Sequence, residues 1–502
     1  MTARRVLAVT LWMLVISLAL TTSSYAVTPT IANLYPSFGT TGATVIVYGT
    51  NFGSTQGSST VKFNGVTATV VTGGWSSTAI TVTVPSTATT GLVKVTTSGG
   101  TGTSGADFNV LATKGSLVLG AFPPTGTTCP LITDYNGTNC VGDYRSDVIP
   151  NVDGVVIVGQ WSSIESSNGS GSGGYSWTSF DAVVNKFVGQ TNWGATKKVG
   201  IVLSPVTNGG SNSSTPAYVF TSGWATTVGA SSPLDQCTCS DYAGDSGAPT
   251  HNGCWNQSNN MSTDTSGMPA VWEKPFYKAL ENFYSAAVTH INSTSTSYSP
   301  YVAYIRMGLS TGGEEYPHCH ANMETYFSIN DSQLETDWTT YANTMFTYEN
   351  GLGSEQPIMA APNGNGTSTG VPSDGWADTE AQDALNEGLS LGSEGLQYTD
   401  LFTTPCSNDW CNTFTFTPTP LVKEQQTYAQ SNPAQTTCTS SGGYGPNDTN
   451  SLVCLLPFVE GKVNSVELYP GDVFLAFDPA TTGYSTYGAA YATAISNLRT
   501  GN

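Results

Sequence analysis

From Ser116 onward the chain alternates short apolar runs with longer stretches whose apolar residues recur at helical spacing. The runs "SLVLGAFPP" (116–124), "VDGVVIVGQWSSIE" (152–165), "KKVGIVLSP" (197–205) and "YVAYIRMGLS" (301–310) read as buried strands. "QPIMAAPNG" (356–364), "GLSLGSEGLQ" (388–397), "PLVKEQQT" (420–427) and "NSVELYPGDVFLAF" (464–477) bring the set to eight. Between the second and third, "WTSFDAVVNKFVGQ" (177–190) sets Phe180, Val183, Val184 and Phe187 on one helical face. Residues 269–292 and 331–350 read as further helices. Strands that are apolar throughout, each followed by a helix, are what a parallel sheet covered on both faces requires.

Eight such units over residues 113–500 predict an α/β domain, a (β/α)8 or TIM barrel with enlarged loops. The competing doubly wound sheet lacks its Gly-rich nucleotide turn after the first strand. Residues 28–110 have a different texture. "ATVIVYG", "STVKFNG", "ATVVTG", "AITVTVP" and "LVKVTTSG" are short Val-, Ile- and Thr-rich runs broken by Gly, Pro and Asn, the pattern of an all-β sandwich. The order of Pro36, Gly39, Gly42, Gly49, Asn51 and Gly53 resembles that of the IPT/TIG immunoglobulin-like family over nearly the whole segment. That resemblance implies a spacer or ligand-presenting module with no chemistry of its own.

Arg4 and Arg5, the apolar run Val6 to Leu20 and "SYA" at 24–26 read as a signal peptide over residues 1–26, so the chain is expected to be secreted. The ten cysteines fit an oxidising compartment. Cys129/Cys140, Cys406/Cys411 and Cys438/Cys454 are plausible local bridges, with Cys237, Cys239, Cys254 and Cys319 left to pair. His318-Cys319-His320 hints at zinc, but disulfides are the expected use, and no metal or cofactor is predicted. Without Arg4 and Arg5, 13 basic residues face 35 acidic ones, leaving a net charge of −22. That charge argues against nucleic acid and anionic membranes as partners and favours a neutral, hydroxyl-rich ligand. No stretch after the signal reads as a membrane insertion.

In a (β/α)8 barrel the reactive groups stand at the C-terminal ends of the strands. Glu165, Glu314, Glu315, Glu394, Glu424 and Glu467 all fall there, in a chain in which only 10% of residues are charged. Glycosidic cleavage needs two carboxyl groups, one to protonate the leaving oxygen and one to attack or to activate water. The segment "QWSSIESSNGSGSGGYSWTSFDAVV", with Trp161, Glu165, Tyr175, Trp177 and Asp181, is similar to the second-strand region of barrel glycoside hydrolases. "MGLSTGGEEYP" is similar to the beta-amylase family's acid-bearing motif, whose Glu falls on Glu314.

The large retaining clan of barrel hydrolases carries its acid/base after strand four and its nucleophile after strand seven. That resemblance implies Glu314 as acid/base and Glu424 as nucleophile, with Glu315 and Glu467 in reserve. Gly313, where that clan has Asn, departs from its pattern. Gly312 and Gly313 permit a sharp turn that aims a side chain into the barrel mouth. Trp161, Tyr316, Trp376, Trp410 and Tyr469 are candidate sugar platforms, Glu165 and Glu394 candidate pocket residues, and Arg306 a partner for a buried carboxylate. The expected partner is a neutral poly- or oligosaccharide. The alternative function is a non-catalytic carbohydrate-binding or adhesive surface protein on the same scaffold. A serine hydrolase is excluded by the lack of G-x-S-x-G and the presence of only four His residues.

Overall fold

The computed structural model describes residues 27–112, 114–120, 151–165, 174–188, 197–206, 214–234, 236–237, 268–293, 298–310, 331–362, 374–393, 422, 424–426, 431–434 and 451–501. The first strands are β1 (Thr30–Tyr35), β2 (Phe38–Thr40), β3 (Thr44–Thr50), β4 (Thr60–Phe63) and β5 (Val66–Thr67). They are followed by β6 (Thr69–Trp75), β7 (Ala79–Thr83), β8 (Gly91–Thr97) and β9 (Gly100–Leu111). These form two sheets, β1-β3-β7-β6 and β2-β9-β8-β4-β5. Alternation decides which side chains go inward: Val45 and Val47 on β3 and Val93 and Val95 on β8 are buried, with their neighbours turned toward water. These residues join Phe63, Ile80, Val82 and Phe108 in one core between the sheets. Gly49 is required by space, because a Cβ there would stand 2.0 Å from the Thr30 carbonyl oxygen.

The second part is built on one sheet of eight strands. They are β10 (Leu117–Gly120), β11 (Gly154–Gln160), β12 (Lys198–Ser204) and β15 (Val302–Met307). The remaining four are β16 (Ile358–Ala360), β17 (Ser390–Leu391), β18 (Glu424–Gln426) and β19 (Ser465–Leu468). A separate two-stranded pair, β13 (Gln236–Cys237) and β14 (Met268–Pro269), lies between β12 and β15 in sequence. The spatial order is β17-β16-β15-β12-β11-β10-β19-β18, and every neighbouring pair is parallel.

Helices cover one face of this sheet: α1 (Trp161–Ile164), α2 (Thr178–Val188), α3 (Ser222–Val228), α4 (Lys274–Asn292) and α5 (Asp331–Asn350). After these come α6 (Asp374–Asn386), α7 (Leu452–Val459), α8 (Pro470–Phe477) and α9 (Ala489–Thr500). Val155, Ile157, Ile201, Leu203, Ile305, Val466 and Leu468 pack on the helix side with Phe180, Phe187, Phe276 and Phe283. Leu117, Leu119, Val156, Val202, Tyr304, Met359 and Val422 form a second cluster on the opposite face. All seven residues of β12 are buried, as a strand covered on both faces must be.

The sheet curls on itself. Strands β15 and β19 stand four strand spacings apart in the order, about 19 Å on a flat sheet. Yet Nη2 of Arg306 on β15 lies 3.9 Å from Oε2 of Glu467 on β19. At the open ends of the order, Leu391 N donates to the Val422 carbonyl at 3.1 Å, joining β17 to the residue two positions before β18.

Two boundaries differ from the sequence reading. The run 464–477 is not one strand: β19 stops at Leu468 and Pro470 opens helix α8, where its missing N–H is harmless. The strand expected over 152–165 ends at Gln160, and one helical turn separates it from Glu165. Helices α3, α6, α7 and α9 lie outside the three runs assigned as helices from the sequence. Cys454 on α7 is disulfide-bonded.

Candidate active site

Glu467 sits in the middle of β19, in register with Leu119 on one side and Gln426 on the other. Its neighbours Val466 and Leu468 point to the helices, so strand alternation turns the carboxylate to the inner face. Arg306 follows the same logic, with Ile305 and Met307 facing the helices. Both side chains are only 3% exposed. Glu467 is thus a buried carboxylate beside Arg306, of the kind expected for that arginine. Glu424 opens β18 in register with Ser465, so it stands at the N-terminal start of the seventh strand and not at its C-terminal end as expected, because the strand begins at Glu424 and runs on to Gln426.

The strand leading to the paired glutamates is held from behind. Gly308 N donates to the Leu203 carbonyl at 3.3 Å. The Tyr284 hydroxyl, from α4, donates to the Gly308 carbonyl, and the Tyr341 hydroxyl, from α5, donates to that of Leu309 at 2.7 Å. Beyond β18, Ser431 donates through N and Oγ to the buried carboxylate of Asp472, at 3.0 and 2.7 Å. Tyr491 meets the same Ser431 hydroxyl at 2.6 Å. Burial pushes Asp472 up to about 7 despite those donors. Neither clamp was foreseen from sequence, although an acid in the first turn of a helix, as Asp472 is in α8, is a recognisable signal.

Trp161 and Glu165 occupy a different place from the one expected. Trp161 is 0% exposed, its ring stacked on Phe283 at 5.5 Å and edged by Phe276 at 5.8 Å. No face is left for a sugar, so the residue is core and not a platform. The physical reason is alternation along the preceding strand: Trp161 continues the outward series Val155 and Ile157. Its indole N–H donates to Oε2 of Glu165 at 2.5 Å, and Tyr218 lies near the same carboxylate. Glu165 is 1% exposed, which removes it from any open pocket in this conformation.

Burial raises Glu165 to about 7 from an ordinary 4.5. The fold therefore favours the neutral acid. Its contribution to stability is fully present below about 4.5 and lost as pH rises through about 7, a loss of roughly 3 kcal/mol. Replacing Glu165 by Gln keeps an acceptor for Trp161 and removes the titration. Urea denaturation should then show a shallower fall in stability between pH 4.5 and 7.5, with Asp472 supplying the remainder. An unchanged slope would mean that Glu165 is already ionised at low pH.

Glu314, Glu315, Tyr316, Glu394 and Trp410 lie outside the described residues, as does His318-Cys319-His320. Trp376 belongs to the first turn of α6, and half-buried Tyr469 is the N-cap of α8. Among the described residues no group of three or more His, Cys, Asp or Glu is arranged to hold a metal ion. No helix among them is long and apolar enough to cross a membrane.

The family model for the IPT/TIG domain matches residues 29–110. This segment is an IPT/TIG domain. Its two-sheet core is the sandwich described above, and the turn order read from sequence belongs to it. No curated protein matches the chain. Among solved structures, an auxiliary nutrient binding protein from Bacteroides thetaiotaomicron is 23% identical over 18% of this chain and 24% of its own, with a TM-score of 0.15. SGBP-B from a complex xyloglucan utilization locus in Bacteroides uniformis is 23% identical over 20% of this chain and 29% of its own, at a TM-score of 0.14. The gamma-CGTase of alkalophilic Bacillus clarkii is 32% identical over 21% of this chain and 15% of its own, at 0.16. The matches thus span less than a third of each of these three proteins.

Proposed function

We propose that the chain is a secreted glycoside hydrolase in which a (β/α)8 barrel follows the IPT/TIG domain. Glu314 is the acid/base, Glu467 the nucleophile in place of Glu424, and the substrate a neutral poly- or oligosaccharide. The observation that carries this reading is the parallel sheet: β15 leads to Glu314, and Glu467 stands one residue from the C-terminal end of β19 with its side chain on the inner face. The Leu391–Val422 hydrogen bond and the approach of Arg306 to Glu467 support closure of the sheet into a barrel. A closed ring turns Glu467 and the strand end that leads to Glu314 toward one rim, where retention needs the two carboxyl groups about 5–5.5 Å apart.

The test is a panel of neutral polysaccharides, with the first-formed anomer followed by NMR. Hydrolysis with retained configuration is expected. An inverted product would assign Glu467 the role of base, at a separation of about 6.5–9.5 Å. Tight binding without any hydrolysis would make the protein a carbohydrate-binding or adhesive protein instead.

A further inference from the structure

Phe38 is a residue of the IPT/TIG domain that does not belong to that domain's core. It is 1% exposed, yet the sandwich core between the two sheets does not include it. It packs instead in the inner cluster of the parallel sheet, with Leu117, Leu119, Val156, Val202, Tyr304, Met359 and Val422, and Leu111 lies against the same group. Strand β2 positions it by pairing with the end of β9, Phe38 opposite Asn109.

Polar contacts surround this apolar insertion, all at the N-terminal ends of the parallel strands. Lys198, first residue of β12, directs its ammonium to the carbonyls of Asp107 in β9 and Pro300 before β15, at 3.4 and 3.5 Å. Tyr301 donates to the Gly105 carbonyl at 3.2 Å. Asn33 of β1 donates to the Glu355 carbonyl at 2.9 Å, just before β16, and Tyr35 lies near the backbone of Ile358. Burial lowers Lys198 to about 7, as befits an amine enclosed at a packed junction. Only five residues separate the end of β9 from the start of β10, too few for a free tether.

We infer that the IPT/TIG domain is the plug of the parallel sheet's N-terminal end, with Phe38 serving as a core residue of the domain it enters, so that the two parts unfold as one unit. A spacer or ligand-presenting arm would have a wet, polar and hinged junction. This one is dry at its centre and bonded around it, on the side opposite the strand ends that lead to the glutamates. The inference stands whether or not the chain hydrolyses sugars.

The experiment is calorimetry on the full chain combined with hydrogen–deuterium exchange. Wild type should show one cooperative transition. Phe38→Ala should lower its midpoint by about 3–5 °C and speed exchange in Leu117–Gly120 and Val302–Met307, far from the substitution in sequence. If that variant does not accumulate as folded protein, Phe38→Leu carries the test, with a smaller shift and faster exchange in the same strands. Two separate transitions in wild type, or unchanged exchange in those strands in a folded Phe38 variant, would overturn the inference.

Discussion

Replacing Glu314 by Gln is expected to lower turnover on the natural polysaccharide by about 10²–10⁴-fold. The amide is the same size as the acid and cannot give a proton to the departing sugar oxygen, which leaves poorly as an alkoxide. Aryl glycosides with acidic phenols need little protonation, so their bond cleavage should suffer much less. That difference separates a lost acid from a lost fold. The fold itself should survive, because the strand end is anchored at Gly308 and Leu309 by Tyr284 and Tyr341, and Glu314 takes no part in those bonds. Full activity in this variant with loss in Glu315→Gln would move the acid by one residue. Full activity in both would remove the hydrolase reading.

The second large effect concerns the ion pair. Deleting the carboxylate with Glu467→Leu strips a negative charge from beside a guanidinium that is 3% exposed. Removing one member of a buried pair destabilises by about 3–5 kcal/mol, because the remaining charge keeps its desolvation penalty. Exchanging both, Arg306→Met with Glu467→Leu, should recover most of that loss, since apolar residues of similar volume replace buried pairs at little cost. Equilibrium denaturation of the two single variants and the double one measures the coupling directly. A near-zero coupling would show that the two groups do not depend on each other. Glu467→Gln adds a functional arm: abolished activity is expected there, and an active Glu467→Gln beside an inactive Glu424→Gln would return the nucleophile to Glu424.

Much of the second domain was legible because its strands are buried on both faces. Such strands must be apolar almost residue for residue, as β12 and β15 are, and so they stand out from helices of mixed character. Strand parity carried more than was read from it. The outward series Val155, Ile157 and Trp161 marks Trp161 as core, and Val466 and Leu468 flanking Glu467 mark that acid as inward. The Trp-and-Glu spacing of "WSSIE" resembled a binding motif, but its two residues bond each other inside the wall of the fold. Polar contacts across the fold gave no warning. Arg306 and Glu467 are 161 positions apart, and nothing local in either segment names the other.

By itself, the sequence determined the two textures, the number of parallel strands and the sandwich turns, because these follow from local alternation, burial and backbone freedom. Only the tertiary structure decided that Arg306 faces Glu467, that Trp161 is covered by Phe283, and that Phe38 leaves its own domain's core for another. Those outcomes depend on how a curled sheet brings distant strands and a neighbouring domain into contact. Chain closure over such separations is fixed by packing and not by any short pattern of residues.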